Sequence, residues 1–482
     1  MKKVTMFLLI AIIGFAVVSL ASAQGLPGSG WWSGEQIQNV GASSATISIT
    51  AYDDTNSYSD SATVAPGAAY TFTPINDFPD MPAGFQGSAV VSSNQPIKAI
   101  TNVTNQPAGT VGVAGGKAAG QYQGTDASAV ATTLYFPLAK GDHFGKTSSF
   151  FIQNAGAANL TDGVATFTMR NGQTHTVNLP TIGANRMAVI TVADAATYNP
   201  TENNGRVGSL VVTGGQPMAG VVMEHDTVAN PAVVLNSTRG FTSGDFDTKA
   251  YAPVIKHNRF NQFTGLQIQN TDAASIDVTV TYKPTAGCTG GPYVDTRTVA
   301  VGTSQTIVHN AAANTNLPAN CTASATIEGT GDFVAIVNEQ EMPNTSKVGT
   351  TYSAMADGAA TTEISIPLYK DNRFGALTGL QIQNVGASAA TFTATFSCVG
   401  GATFTAVSDP AKTGTIAAGG AFLFYTPSND NLFTNANPFS SDNVNCAVSI
   451  SSDQPVVAIA NEAPTVAGNL DNNNYEGFNL AP

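Results

Sequence analysis

The sequence is poor in charge, histidine, tryptophan and cysteine. Charged residues make up 11% of its 482 positions, against about 25% in an ordinary soluble domain. Lys and Arg number 19 against 32 acidic residues, a net charge of −13. Nucleic-acid affinity comes largely from clustered basic side chains, so this balance excludes a phosphate-binding surface. The chain is nevertheless 43% hydrophobic, which excludes a disordered chain kept open by charge. No Gly-x-Ser-x-Gly elbow, His-Glu-x-x-His pair or phosphate-cradling glycine loop is present. The histidines at 143, 175, 225, 257 and 309 fall at unrelated places, except that His143 aligns with Arg259 and Arg373. Plentiful instead are turn formers, 47 Gly and 24 Pro.

Residues 1–23 have the parts of a secretory leader. Lys2 and Lys3 precede an uncharged apolar run from Met6 to Leu20, and Ala21-Ser22-Ala23 is a small-residue cleavage site. The run is shorter than the roughly 20 apolar residues that span a bilayer, and no later stretch replaces it. Cleavage before Gln24 takes the formal net charge from −13 to −15. The expected mature protein is secreted, extracellular or on the cell surface, with no membrane span of its own.

The chain repeats with a period near 115. Ile-Gln-Asn occurs four times, ending at Asn39, Asn154, Asn270 and Asn384. A small, polar turn follows each copy, and then a run of period two, such as Ile276, Val278, Val280 and Tyr282 against Asp277, Thr279 and Thr281. That period means a strand with one face on a core. Each copy closes on a similar strand, Gln95–Asn102 in the first and Gln454–Asn461 in the fourth. Lys140, Lys256 and Lys370 stand 14 residues before their Asn, with Phe144, Phe260 and Phe374 four residues after the Lys. The first copy lacks this Lys-bearing opening strand and has Val103 where the others close on Glu.

About seven short strands per copy, without helical spacing, predict an all-β chain: four tandem immunoglobulin-like β-sandwich domains after a signal peptide. The expected boundaries are 1–23 for the leader, then 24–107, 108–230, 231–345 and 346–482. The order Tyr-x-Gly, Pro-Leu-x-Lys, Ile-Gln-Asn and Pro-x-x-Ala-x-x-Asn-Glu resembles tandem β-sandwich repeats of uncharacterised secreted bacterial surface proteins. The resemblance covers nearly all of the mature chain and carries no enzymatic activity with it. Tyr475-x-Gly477-Phe478 reads as the start of a further unit. It either folds back on the fourth domain or is donated to another copy.

Cys288 and Cys398 follow the alternating strand of copies three and four, while Cys321 and Cys446 precede the penultimate strand. In an exported chain these places predict the bridges Cys288–Cys321 and Cys398–Cys446. Zinc would need closely spaced ligand pairs, and there are none. Asp77, Asp245, Asp247 and Asp430 lie in Asx-rich loops that offer oxygens to calcium; the same residues also close turns on their own backbone. No other cofactor is implied. Lys256 with Asn338 and Glu339, or Lys370 with Asn461 and Glu462, supplies the parts of a Lys–Asn isopeptide cross-link, or simply a solvated Lys beside a strand end. Trp31 and Trp32 are the only tryptophans and offer a glycan-stacking surface, or core packing.

Export, four repeats and the lack of an irregular catalytic constellation predict a non-enzymatic structural or adhesive protein of a surface layer, filament or matrix. Its expected partners are further copies of itself or cell-surface glycans and proteins, with no nucleic acid. The alternative is a carbohydrate- or ligand-binding module of the cell surface.

Overall fold

The structure is a computed structural model. It describes residues 16–20, 26–27, 30–105, 118–227, 234–341, 349–373, 375–408, 415–426, 428–434, 444–465 and 473–480. The chain is all-β, with one helical turn at Pro74–Asp77 and a few short 3-10 turns among the described residues. The period-two runs form strands for the expected reason. Along Ala45–Tyr52, Ala45, Ile47, Ile49 and Ala51 are buried while Thr46 and Ser48 face water. The Ile-Gln-Asn strands differ, being buried on both faces: Gly34–Asn39, Ser148–Asn154 and Leu266–Asn270 have no exposed residue. One face covers its own core; the other meets a neighbouring unit.

All four units share one pairing scheme, plainest in the first. One sheet runs Ser57–Val64, Ala45–Tyr52, Gly87–Ser93, Ala16–Leu20, Thr125–Asp126. The facing sheet runs Ala69–Phe72, Trp32–Asn39, Ile97–Thr104, Ala119–Gln123. In the later units the penultimate and closing strands merge into single strands, Val207–Asp226, Cys321–Glu341 and Val444–Pro464, which pass from one sheet to the other. Their opening strands are Ala131–Lys140, Asp247–His257 and Thr361–Asp371. In the first unit Ala16–Leu20, within the expected leader, fills that place.

The Tyr-x-Gly segments have a further role. Ala119–Gln123, Leu235–Arg239, Gly349–Ser353 and Asn473–Glu476 each pair antiparallel with the closing strand just before them. The C-terminal segment therefore folds back, with Phe478–Asn479 also joining Thr361–Asp371. These four axial strands pack against one another in sequence, and the fourth meets the first. Ser237 Oγ donates to the Gln121 carbonyl at 2.9 Å, Thr238 and Ser353 hydroxyls meet at 2.9 Å, and Gln123 Nε2 donates to the Glu476 carbonyl at 2.8 Å. The units form a closed ring around these strands.

The rim repeats one contact. Ser88, Ser209 and Ser324 hold equivalent places on their penultimate strands, and their hydroxyls donate to the carbonyls of Asn185, Gly302 and Gly419 in the next unit. Each acceptor sits in a tight turn at positive φ, between 62° and 72°, where Gly is unstrained and Asn is tolerated. Gly67 (φ 72°) is the equivalent in the first unit, and a Cβ there would lie 3.3 Å from Ser397 Oγ of the fourth. Gln36 Nε2 also reaches the Pro367 carbonyl at 3.3 Å. Each unit offers a strand to one neighbour and a turn to the other, a head-to-tail contact that closes after four.

Candidate functional site

The landmark asparagines do one job in every unit. Asn39, Asn154, Asn270 and Asn384 each donate both amide hydrogens to backbone carbonyls, four residues on and across the hairpin. Each Oδ1 accepts the backbone N–H two residues later. Only Asn has this donor and acceptor set at this length. The motif is a fold element.

The recurring lysines are ion-paired across the sandwich. Lys140 meets Glu224 at 2.6 Å, Lys256 meets Glu339 at 2.8 Å and Lys370 meets Glu462 at 2.8 Å. Lys256 Nζ also donates to Gln262 Oε1 at 2.7 Å. Asn338 Oδ1 is engaged by the Thr351 hydroxyl at 2.8 Å, so the ammonium faces a carboxylate. For Glu224, burial pushes the pKa up but Lys140 and Lys146 outweigh it, leaving it below the usual carboxylate value. The first unit has Glu35 instead, fully buried on Trp32–Asn39 and pushed well above the usual range by burial, which the Thr101 and Ser33 hydroxyls only partly offset.

The cysteines form both expected bridges, Cys288–Cys321 and Cys398–Cys446. The calcium candidates find protein partners. Asp77 accepts from the Tyr70 hydroxyl and the Thr73 amide, Asp245 from Arg239 and the Thr242 amide, and Asp247 from the Lys249 and Gly358 amides. The Asp430 side chain lies outside the described residues. Among the described residues no group of three His, Cys, Asp or Glu is placed to hold a metal. Trp31 is only 7% exposed, packs with Val103, Phe151 and Leu235, and donates its indole N–H to the Pro27 carbonyl at 3.0 Å. It is therefore unavailable as a stacking platform, because the second unit covers it. Trp32 is half-buried beside it.

Two polar groupings escaped the sequence reading. In the third unit the Tyr282 hydroxyl donates to Asp295 at 3.0 Å and lies 2.9 Å from His309 Nε2, while Thr315 donates to Asp295 at 2.6 Å. Burial pushes His309 down to about 4. The grouping is sealed from solvent and is a core network.

The second grouping lies at one mouth of the ring axis. Gln123, Arg239, Ser353 and Glu476 are equivalent positions from the four units, each one residue past the Tyr place of the axial strand. The Arg239 guanidinium clasps Asp245 at 3.0 and 2.5 Å and lies 5.5 Å from the Phe241 ring centroid. Burial lowers its pKa, but Asp245 and then Glu476 more than compensate, so it stays cationic. Glu476 accepts the Ser353 amide. Gln123, Arg239, Ser353 and Glu476 line a cavity of about 390 Å³ whose apolar walls include Phe246, Met355 and Phe478. A guanidinium, a carboxylate and aromatic walls suit a small polar or zwitterionic molecule. A sequence signal existed in the four unlike residues after the Tyr place, but only ring closure brings them together. No helix among the described residues is long and apolar enough to cross a membrane.

No family model matches the chain and no curated protein matches it. Among solved structures, the Thermotoga maritima 1070 protein matches 23% of this chain and 94% of its own, at 15% identity and a TM-score of 0.19. Serine-rich repeat protein Srr2 of Streptococcus agalactiae matches 55% and 86%, at 8% identity and a TM-score of 0.13. A glycoside hydrolase family 32 structure from Bifidobacterium adolescentis matches 94% and 99%, at 9% identity and 0.13. Likenesses this low carry no argument about fold or activity.

Proposed function

We propose that the chain is an exported, non-catalytic extracellular protein of structural or adhesive role, its four immunoglobulin-like sandwiches joined in one rigid ring. The observation that carries this reading is the repetition of the polar groups. The Asn turn recurs four times, the Lys–Glu pair three times and the serine-to-turn contact three times, each holding the scaffold together. None of these repeated groups forms the single irregular constellation that a catalytic centre needs. The two disulfides suit an oxidising compartment. Cell fractionation with intact mass tests it. The expected protein lies outside the cytoplasm, begins at Gln24 and has four oxidised cysteines; a reduced, cytosolic chain beginning at Met1 contradicts the reading.

A second reading, a ligand-binding module, is favoured by the axial cavity alone. There the repeat breaks, with Gln, Arg, Ser and Glu at one equivalent position. Thermal-shift screening of amino acids and acidic sugars, wild type against Glu476→Gln, decides it. A stabilising ligand lost in the variant supports ligand binding.

A further inference from the structure

Units two to four each carry their own opening strand. At its end the backbone amide of Lys140, Lys256 or Lys370 donates to the hydroxyl of Ser148, Thr264 or Thr378, at 3.0, 3.1 and 2.9 Å. In the first unit the same place, between Gly87–Ser93 and Thr125–Asp126, is held by Ala16–Leu20. Those residues leave with the leader if the chain is cut after Ala23. The slot nevertheless keeps its fittings. Ser33, buried, stands where Ser148, Thr264 and Thr378 stand, six residues before the landmark Asn.

Glu35 sits one rung further in. It pairs in register with Thr101, where the other units pair Phe150 with Val222, Leu266 with Val337 and Leu380 with Ala460. Thr101 donates to Oε2 at 2.6 Å, while Oε1 is buried without a partner. The acid that meets the opening-strand Lys elsewhere is Val103 here, in register with Ser33. The first unit thus keeps a buried acid, one rung further in and on the strand paired with its closing strand.

We propose that the opening-strand slot of the first unit is a strand-acceptor site, filled by the leader in the precursor and, after cleavage, by an extended apolar segment of a partner polypeptide ending in lysine. Main-chain bonds along Gly87–Ser93 supply affinity, as in other strand additions, and the lysine gives Glu35 a counter-charge that a buried carboxyl otherwise lacks. A second copy of this chain is a poor donor, because its opening strands are already built into its own sheets. The proposal rests on the export reading, through leader cleavage.

The test uses mature protein 24–482, its start verified by intact mass. The probe is a labelled peptide, Ala-Thr-Thr-Leu-Tyr-Phe-Pro-Leu-Ala-Lys, the sequence of Ala131–Lys140, against the same peptide with Lys140→Ala. The expected result is saturable one-to-one binding, at least tenfold weaker without the lysine, with new hydrogen-exchange protection at Gly87–Ser93. Glu35→Gln removes the preference. So does Glu35→Leu, which installs the residue found at 266 and 380 and guards against a folding failure. Binding of neither peptide, equal binding of both by wild type, or a concentration-dependent dimer that excludes the peptide overturns the proposal. An exported chain whose mass still includes residues 1–23 overturns leader cleavage itself, by a separate readout.

Discussion

The Ser324 hydroxyl of the third unit donates to the Gly419 carbonyl of the fourth at 2.7 Å. The same geometry joins Ser209 to Gly302 and Ser88 to Asn185. One serine and one left-handed turn thus make a joint that recurs at three of the ring's four junctions.

Replacing Gly419 tests that joint. At φ 72° a β-branched residue is a steric outlier, so Gly419→Val is expected to lower stability by about 2 kcal/mol. Gly419→Asn is expected to cost under about 1 kcal/mol, since Asn tolerates this region and Asn185 already occupies the equivalent turn. Urea unfolding of both variants measures the difference.

Asn270→Ala removes two donors and one acceptor from a buried turn. It leaves the Ala274 carbonyl without its side-chain partner and the Val299 carbonyl with the Ser275 hydroxyl alone, and the expected loss is about 2–3 kcal/mol. Asn270→Asp is expected to rescue little, because a carboxylate cannot donate. Chemical denaturation of the two variants checks this.

Lys370→Met strands the Glu462 carboxylate, whose side chain is 1% exposed. Breaking a buried pair from one side costs about 3–5 kcal/mol. Lys370→Met with Glu462→Leu is expected to recover most of that, because neither charge then remains buried. A double-mutant cycle by denaturant titration gives the answer.

Two buried glutamates predict opposite pH responses. The Glu224 pKa is lowered in the fold, so its stabilisation is present above the ordinary carboxylate value of 4.5 and is lost as pH falls. Glu224→Gln should flatten the acid side of the stability curve. The Glu35 pKa is raised, so its contribution is present below 4.5 and is lost as pH rises. Glu35→Leu should therefore gain stability relative to wild type between pH 5 and 8. Unfolding midpoints at constant ionic strength show both signs.

The bridges close loops with sequence separations of 33 and 48. Cys398→Ala with Cys446→Ala is expected to cost about 3–4 kcal/mol on the chain-entropy estimate. Calorimetry in the absence of reductant measures that cost.

What could be read from sequence was whatever depends on irreplaceable chemistry. The Asn39, Asn154, Asn270 and Asn384 turns need an amide, and the paired cysteines need each other. The alternating strands need one apolar face. The ring was hidden because its joints use Ser88, Ser209 and Ser324, ordinary residues meeting backbone carbonyls. The Tyr-x-Gly segments looked like the start of the next copy because chain order does not show which strand a segment pairs with. Glu35 lies in a polar-looking stretch, Trp-Ser-Gly-Glu-Gln-Ile-Gln-Asn, and only packing on both faces buries it. Trp31 looked available for the same reason, since the second unit that covers it begins far along the chain.

Ring closure is the central claim, and a cross-link between the first and fourth units tests it most directly. A Cβ at Gly67 falls 3.3 Å from Ser397 Oγ, so Gly67→Cys with Ser397→Cys should oxidise within one chain. Non-reducing peptide mapping of the monomer should then show a 67–397 bridge in high yield. Free thiols at both positions, or a bridge found only between chains, would mean that the four units are strung out and the ring does not close.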